Sequence, residues 1–287
     1  MPRKAKDETP QDVEEEPQVV EEQPEQPTGE AVTEQKENIE PEPPPTPISV
    51  KLDDKHRKAL RLLLDVMEEI GIEDATFHYA DGAIGVREMD ASHVAMVDAT
   101  VYVGNYTIDG VGVKRNFTTN VQHLNKALSL DSPTLDVQLD RITVSGRLAD
   151  REAVAKLPLL QPLIEEVPTP KLTFDVDATL DFSEVYKAFA VLPDAPDTVS
   201  FDSNGNGLIV KGGSDQNTIQ MNGYKATGVG RAMYPWAYVK ALGKREWKIE
   251  FRTDMPLKAT RTETGVSEEE RLIADLAVWV APRIESS

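Results

Sequence analysis

Cysteine is absent from the 287 residues, so neither a disulfide framework nor a thiolate metal site can form. Histidine occurs only as His56, His78, His93 and His123, with none of the spacing that metal ligands require. No apolar run is long enough to span a membrane, and the N-terminus lacks a signal-peptide pattern. Positive charge is scarce too: 31 Lys and Arg stand against 50 Asp and Glu, a formal net charge of −19. That balance argues against a general nucleic-acid binder. The lack of cysteine fits an intracellular setting.

The charge is unevenly placed. Residues 1–47 hold 14 acids against 4 bases, 10 of the 20 prolines and no aromatic residue. Such a segment cannot bury enough apolar area to offset its ordering entropy, so a disordered acidic tail is expected. It reads as a solubilising tail or as a tether and docking arm. A second proline-rich stretch, 159–171, contains Pro162, Pro168 and Pro170, which can neither continue a helix nor sit in a central strand. It also carries Leu163, Ile164 and Val167, which a purely solvated linker would not need. A strap lying against a surface is expected, joining a half at 48–158 to one at 172–287.

The two halves share an internal order. A strand at 48–52 leads to a helix that Asp53 or Asp54 can cap, with Leu60, Leu63, Leu64, Met67 and Ile70 on one stripe and Gly71 at its end. Strands at 76–79, 84–89 and 93–103 follow. The pattern returns with a strand at 111–117, a helix near 120–130, and strands at 135–139, 142–147 and 153–157. It returns again with a strand at 172–178, a helix at 182–192 opened by Asp181 with Glu184 at capping-box spacing, and strands at 198–201, 208–211 and 218–224. The Asn204-Gly205-Asn206-Gly207 run signals a hairpin. A fourth round has a strand at 226–231, a helix at 235–242, and strands at 248–252, 257–262 and 272–280. One strand–helix–strands unit thus occurs four times, an α+β chain whose helices each bury one stripe and leave the opposite face free.

Those free faces carry bases: Arg57, Lys58 and Arg61 on the first helix, His123 and Lys126 on the second, Lys187 on the third, Lys240 and the nearby Lys244 on the fourth. Bases on one side of four equivalent helices, within an acidic chain, imply a segregated positive surface and a polyanionic partner. No aromatic residues interleave them, so contact would be with phosphate and without sequence preference. Scattered helix-surface lysines are the competing reading. Other signals carry no chemistry. The 202–207 stretch imitates a calcium loop, but Gly213 stands where the twelfth-position Glu is needed. Gly228 and Gly230 form no phosphate cradle. Asp175 and Asp177 read as a solvated pair.

Arg87-Glu88-Met89-Asp90-Ala91-Ser92-His93-Val94-Ala95-Met96-Val97-Asp98 resembles the first-domain signature of sliding clamps of the proliferating cell nuclear antigen (PCNA) family, archaeal or viral type. Val278-Trp279-Val280-Ala281-Pro282-Arg283-Ile284-Glu285 resembles their closing motif, and Asp254-Met255-Pro256-Leu257 has a counterpart before the penultimate strand. The resemblance covers about residues 48–287. It implies the DNA-clamp (processivity) fold: two similar domains of two units each, helices lining a ring and sheets outside. It implies a homotrimer that encircles double-stranded DNA, performs no chemistry, needs no cofactor or metal, and tethers DNA polymerase, a clamp loader and other replication and repair enzymes. Under it Arg57, Lys58, Arg61, His123, Lys126, Lys187, Lys240 and Lys244 face DNA. Met89, His93, Val94, Leu163, Ile164, Pro256, Ala281, Pro282 and Ile284 would form an apolar pocket for partner peptides. Subunits would join by pairing the strand at 142–148 with that at 218–224 of the next chain. The expected location is the cytoplasm of an archaeal cell or infected host, or a nucleus. The acidic tail lies outside the family pattern. Two alternatives remain open: a subunit of a heterotrimeric or checkpoint clamp, and a carboxylate-dependent hydrolase on a β-rich scaffold.

Overall fold

The computed structural model describes residues 47–103, 113–162, 167–214, 217–264 and 272–283. The acidic tail, most of the Glu-rich 263–271 loop, and Leu163, Ile164 and Ile284 lie outside the described residues.

Strand β1 (Ile48–Lys51) runs into helix α1 (Asp54–Glu69). Asp53 is the cap: its carboxylate accepts the Lys55 and His56 N–H groups at 2.9 Å, leaving Asp54 inside the first turn. Two otherwise orphaned donors are thereby satisfied. Burial opposes ionisation of this carboxyl. The His56 N–H and imidazole outweigh that effect and hold its pKa below the ordinary value. Leu60, Leu63, Leu64 and Met67 are fully buried, each stabilising the fold by roughly 2 kcal/mol. Gly71 follows at φ 88°, the left-handed conformation that ends a helix cheaply only with glycine.

Three strands complete this first unit, β2 (Asp74–Ala80), β3 (Ala83–Met89) and β4 (Ala95–Tyr102). The second unit is β5 (Arg115–Asn120), α2 (Val121–Ala127), β6 (Asp131–Val137), β7 (Arg141–Leu148) and β8 (Arg151–Pro158). The third is β9 (Val176–Asp181), α3 (Phe182–Phe189), β10 (Thr198–Asn204), β11 (Leu208–Gly213) and β12 (Thr218–Tyr224). The fourth opens with β13 (Ala226–Thr227) and β14 (Val229–Pro235), followed by α4 (Trp236–Val239), a 3-10 turn (Lys240–Leu242), β15 (Glu246–Phe251), β16 (Leu257–Thr264) and β17 (Leu272–Val280).

The leading strand of each unit leaves its own unit and completes the sheet of the other unit in the same half. β1 pairs with β6, and β5 with β2; β14 pairs with β10, and β9 with β15. This reciprocal exchange makes two four-stranded sheets, β1-β6-β7-β8 and β12-β11-β10-β14. The remaining strands form one nine-stranded sheet, β13-β9-β15-β16-β17-β4-β3-β2-β5, because β4 pairs with β17 from Ala95↔Val280 to Val101↔Ala274. A continuous ladder therefore couples the two halves of the chain. Helix α1 packs on β4 and β17, directly over that junction.

Four local expectations are corrected. The strand expected at 226–231 is split at Gly228, where φ is 79° and an added Cβ would lie 1.7 Å from the Asp175 carbonyl oxygen. Backbone approaches backbone too closely there for any side chain. The helix expected at 235–242 is one α turn and one 3-10 turn; the Lys240 carbonyl accepts from the Tyr186 hydroxyl and the Leu242 carbonyl from Trp247 Nε1. Those side-chain donors satisfy carbonyls that would otherwise need further helix. The strand expected from 172 begins only at Val176, with residues 172–175 outside any strand. Finally, the 142–148 strand cannot pair with another chain. As β7 it is flanked by β6 and β8, so both its edges are occupied. The edge strands of the two smaller sheets are β8 and β12 among the described residues, apart from β1 and β14 at their other ends.

Candidate functional surfaces

The basic side chains sit on helices as expected, but only some are free. Lys58, His123, Lys126, Lys187 and Lys244 are exposed. Arg57 is folded back: it donates to the Leu130 carbonyl at 3.0 Å and pairs with Asp54 at 3.0 Å and Asp131 at 3.5 Å, its side chain only 15% exposed. Its role is to fasten α1 to β6. Arg61 Nε donates to Asn125 Oδ1 at 3.1 Å, and Asn125 Nδ2 donates to Asp65 at 2.8 Å and Glu68 at 2.7 Å. That seam holds α1 beside α2 and ties part of the positive stripe to neighbouring side chains. Lys240 pairs with Glu69 at 2.6 Å. Lys244 Nζ lies 5.9 Å from the Tyr186 ring centroid, a cation–π contact. Burial, with Glu69 nearby, pushes the Tyr186 phenol up to about 12, so it remains a neutral donor.

Arg245 joins this surface. With Lys55, Arg57, Lys58 and Arg61 it lines an open cleft of 560 Å³ between α1 and the β16–β17 hairpin, where Asp65 and Glu263 supply the opposing charge. Arg245 lies just past the fourth helix with Lys244, where the sequence places both bases. Asp175 and Asp177 are a solvated pair, tied to Arg252 at 3.1 Å and Lys248 at 2.7 Å.

The pocket residues converge from three places. Ala281 N–H donates to the Val94 carbonyl at 2.7 Å. Leu257 registers with Val280, which brings Pro256 beside Ala281 and Pro282. Met89 registers with Met96, and Met96 with Trp279. Met89, Val94, Pro256, Ala281 and Pro282 are half-buried, and His93 is exposed at φ 57°. The strap begins where Leu160 N–H donates to the Thr118 carbonyl on the edge strand β5, at 2.9 Å. Near its end Phe174 rests against Trp279, with ring centroids 5.9 Å apart. Lys258 Nζ covers the same indole at 5.3 Å.

The loop at the centre of this cluster is organised by Asp90, which is 4% exposed. Its carboxylate accepts the N–H groups of Ser92 at 3.0 Å, Val94 at 2.7 Å and Ala95 at 2.6 Å, and the Tyr238 hydroxyl at 3.1 Å. A buried carboxylate needs that many donors to offset its desolvation. Two positions before it, Glu88 is also buried and accepts the Thr76 N–H at 2.8 Å. Burial is the dominant influence on Glu88, and its pKa is raised above 4.5. Among the described residues no group of three or more His, Cys, Asp or Glu is placed to hold a metal, and no helix is long and apolar enough to cross a membrane.

No protein-family model matches the chain. The chain is 25% identical to DNA polymerase sliding clamp 3 of Aeropyrum pernix over 246 residues, 78% of this chain and 94% of that one. It is 24% identical to DNA polymerase sliding clamp 1 of Sulfurisphaera tokodaii over 164 residues, 55% of this chain and 65% of that one. The chain is similar to sliding clamps of the PCNA type over most of its length. Its fold is theirs: PCNA from Thermococcus kodakaraensis superposes with a TM-score of 0.67 over 82% of this chain and 100% of that one, at 19% identity. The PCNA2–PCNA3 complex from Sulfolobus tokodaii gives 0.66, at 19% identity, over 82% of this chain and 99% of the other. A. fulgidus PCNA, solved with the C-terminal region of FEN-1 bound, gives 0.66, at 17% identity, over 84% and 100%. The clamp fold is thus shared at low sequence identity.

Proposed function

We propose that this chain is a DNA sliding clamp: a ring subunit that encloses duplex DNA and tethers a polymerase and other replication and repair enzymes, with no chemistry of its own. The domains would be 48–158 and 172–287, joined by the connector 159–171. The observation that carries this reading is the pair of strands β8 and β12, each at one end of a different four-stranded sheet. An unpaired edge invites another strand. Two different edges on one chain make a heterologous contact, which repeats head to tail and closes into a ring when the rotation allows. The corrected pairing is therefore β8 of one subunit with β12 of the next.

Enclosure explains the modest basic lining. A ring linked topologically to DNA needs weak, movable phosphate contacts, and strong base contacts would pin it. Lys58, Arg61, Lys126, Lys187 and Lys244 are the residues proposed to face DNA, with His123 beside them, Lys240 held by Glu69, and Arg57 chiefly structural. Met89, His93, Val94, Pro256, Ala281 and Pro282, with Leu163, Ile164 and Ile284, are proposed to receive short partner peptides such as the FEN-1 C-terminal region, through aromatic and aliphatic anchors. A hydrolase reading gains no support from the described acids, since Asp175 and Asp177 are solvated and ion-paired.

The test is solution mass together with polymerase run length on primed circular DNA. A trimer-sized particle and longer runs are expected; a monomer that leaves run length unchanged overturns the proposal. A ring of different chains is the second reading, favoured by the likeness to a PCNA2–PCNA3 complex. It predicts a monomer alone and a ring only on mixing with related chains.

A further inference from the structure

We infer that Tyr238 is a positioning residue for the peptide-docking loop 90–94. The inference rests on the docking role proposed above. Tyr238 belongs to α4, in the fourth unit, whereas Asp90 closes β3 in the first, 148 positions earlier. The Tyr238 hydroxyl donates to Asp90 Oδ2 at 3.1 Å. The other carboxylate oxygen, Oδ1, accepts the Val94 and Ala95 N–H groups, and Oδ2 also accepts Ser92 N–H. Asp90 is thus the hub that shapes the loop, and Tyr238 is the group from outside the loop that fixes the hub.

The rest of the loop shows why one more bond matters. His93 sits at φ 57°, a left-handed conformation that a residue with a Cβ keeps only when its surroundings hold it. Its N–H donates to the Asp90 carbonyl at 2.9 Å. On the far side, the Val94 carbonyl accepts from Ala281. The loop is therefore gripped at two points, by the C-terminal segment at Val94 and by α4 at Asp90. The α4 side is itself rigid. Trp236 meets Tyr186 and Phe189 edge to face, with centroids 5.2 and 4.8 Å apart, the Trp236 backbone N–H donates to the Asp197 carbonyl at 2.9 Å, and Lys240 is bridged to Glu69. A firm anchor pressing on the hub places His93 and Val94 before a peptide arrives, so ordering them costs less on binding.

Tyr238→Phe removes one oxygen and leaves Asp90 with three N–H donors, so the hub stays satisfied and the chain folds. The expected result is amide exchange at Ser92, Val94 and Ala95 that is several-fold faster than in the parent chain, with β7 amides unchanged. Affinity for a synthetic FEN-1 C-terminal peptide, measured by calorimetry, should fall roughly five- to tenfold, a fraction of the worth of one hydrogen bond to a charged group because the bond acts through the loop. Ring mass should not change. Asp90→Asn combined with Tyr238→Phe should lose less than the sum of the two single losses. Loop exchange equal to that of the parent overturns the inference, and so does unaltered peptide affinity with only a lowered melting temperature. If the parent chain binds no such peptide, the docking reading fails, and loop exchange alone then decides whether Tyr238 sets this loop.

Discussion

Lys240 Nζ stands 2.6 Å from a carboxylate oxygen of Glu69. The two residues come from different halves of the chain, one from the turn after α4 and the other from the last turn of α1. Both side chains are more than a third exposed, 39% and 47%. The pair is therefore worth little to stability, about 1 kcal/mol at most. Its consequence is for charge. It cancels a base of the surface proposed to face DNA.

Glu69→Gln should release that base. Binding to a short linear duplex, followed by fluorescence anisotropy across a salt series, should tighten. The slope of log K against log salt should steepen by up to about one unit, as expected for one more neutralised phosphate. Lys126→Ala, which removes an exposed base, should weaken binding more than Lys240→Ala does. Equal effects would mean that the Glu69 pair does not persist in solution.

The elements that repeat locally were legible. The stripe from Leu60 to Ile70, a cap at Asp53 or Asp54, the stop at Gly71 and the turn at Asn204–Gly207 are each decided within a few residues, by period, capping chemistry or a required positive φ. The order of strands was not. Nothing in the alternation of β1 says that it pairs with β6 across α1 and three strands of its own unit, since registers between distant strands follow from the closed sheet. For the same reason β7 and β8 could not be told apart as interior and edge. Of the candidate site, the residue types on the free helix faces were legible. Their tethering was not, because the ion pairs of Arg57 with Asp131 and Lys240 with Glu69, and the hydrogen bond of Arg61 to Asn125, are made by tertiary packing. Asp90 was quoted as part of a motif, yet its role as the hub of the loop needs Tyr238 beside it, which no spacing reveals.

The free edge at β8 makes a sharper prediction than the resemblance alone. Val154 lies on this strand and is 60% exposed, so Val154→Glu should change folding stability by no more than about 0.5 kcal/mol. In the assembled ring it would place a charge at an apolar contact. Sedimentation should show the parent as a trimer-sized particle and the variant shifted to monomer, with unchanged circular dichroism. A variant that stays assembled would place the subunit contact elsewhere.

Two glycines separate strain from collision. Gly71 and Gly228 both have positive φ, at 88° and 79°. An added Cβ meets nothing within 4 Å at Gly71, whereas at Gly228 it would overlap the Asp175 carbonyl. Gly71→Ala should therefore cost only the left-handed backbone term, about 1 kcal/mol. Gly228→Ala must in addition push β13 and β14 away from the residues leading into β9, and should cost about 3 kcal/mol or more. Urea unfolding at neutral pH measures both; similar midpoints for the two variants would contradict the close approach at Gly228.

Glu88 predicts a pH dependence whose sign can be fixed. Burial raises its pKa in the folded chain above the ordinary 4.5, so the folded state binds the proton more tightly than the unfolded one. For a raised group, the stabilising contribution is complete below the unfolded value and is lost as pH climbs through the folded value. The site therefore disfavours the charged carboxylate relative to the neutral acid. Glu88→Gln keeps an oxygen that can accept the Thr76 N–H and removes that charge. The variant should be more stable than the parent at pH 7, and the difference should shrink towards zero as pH falls below 4.5. Urea midpoints compared at pH 7 and pH 4 test this directly. A glutamine variant less stable than the parent at pH 7 would show that ionised Glu88 is held by attraction strong enough to overcome its burial.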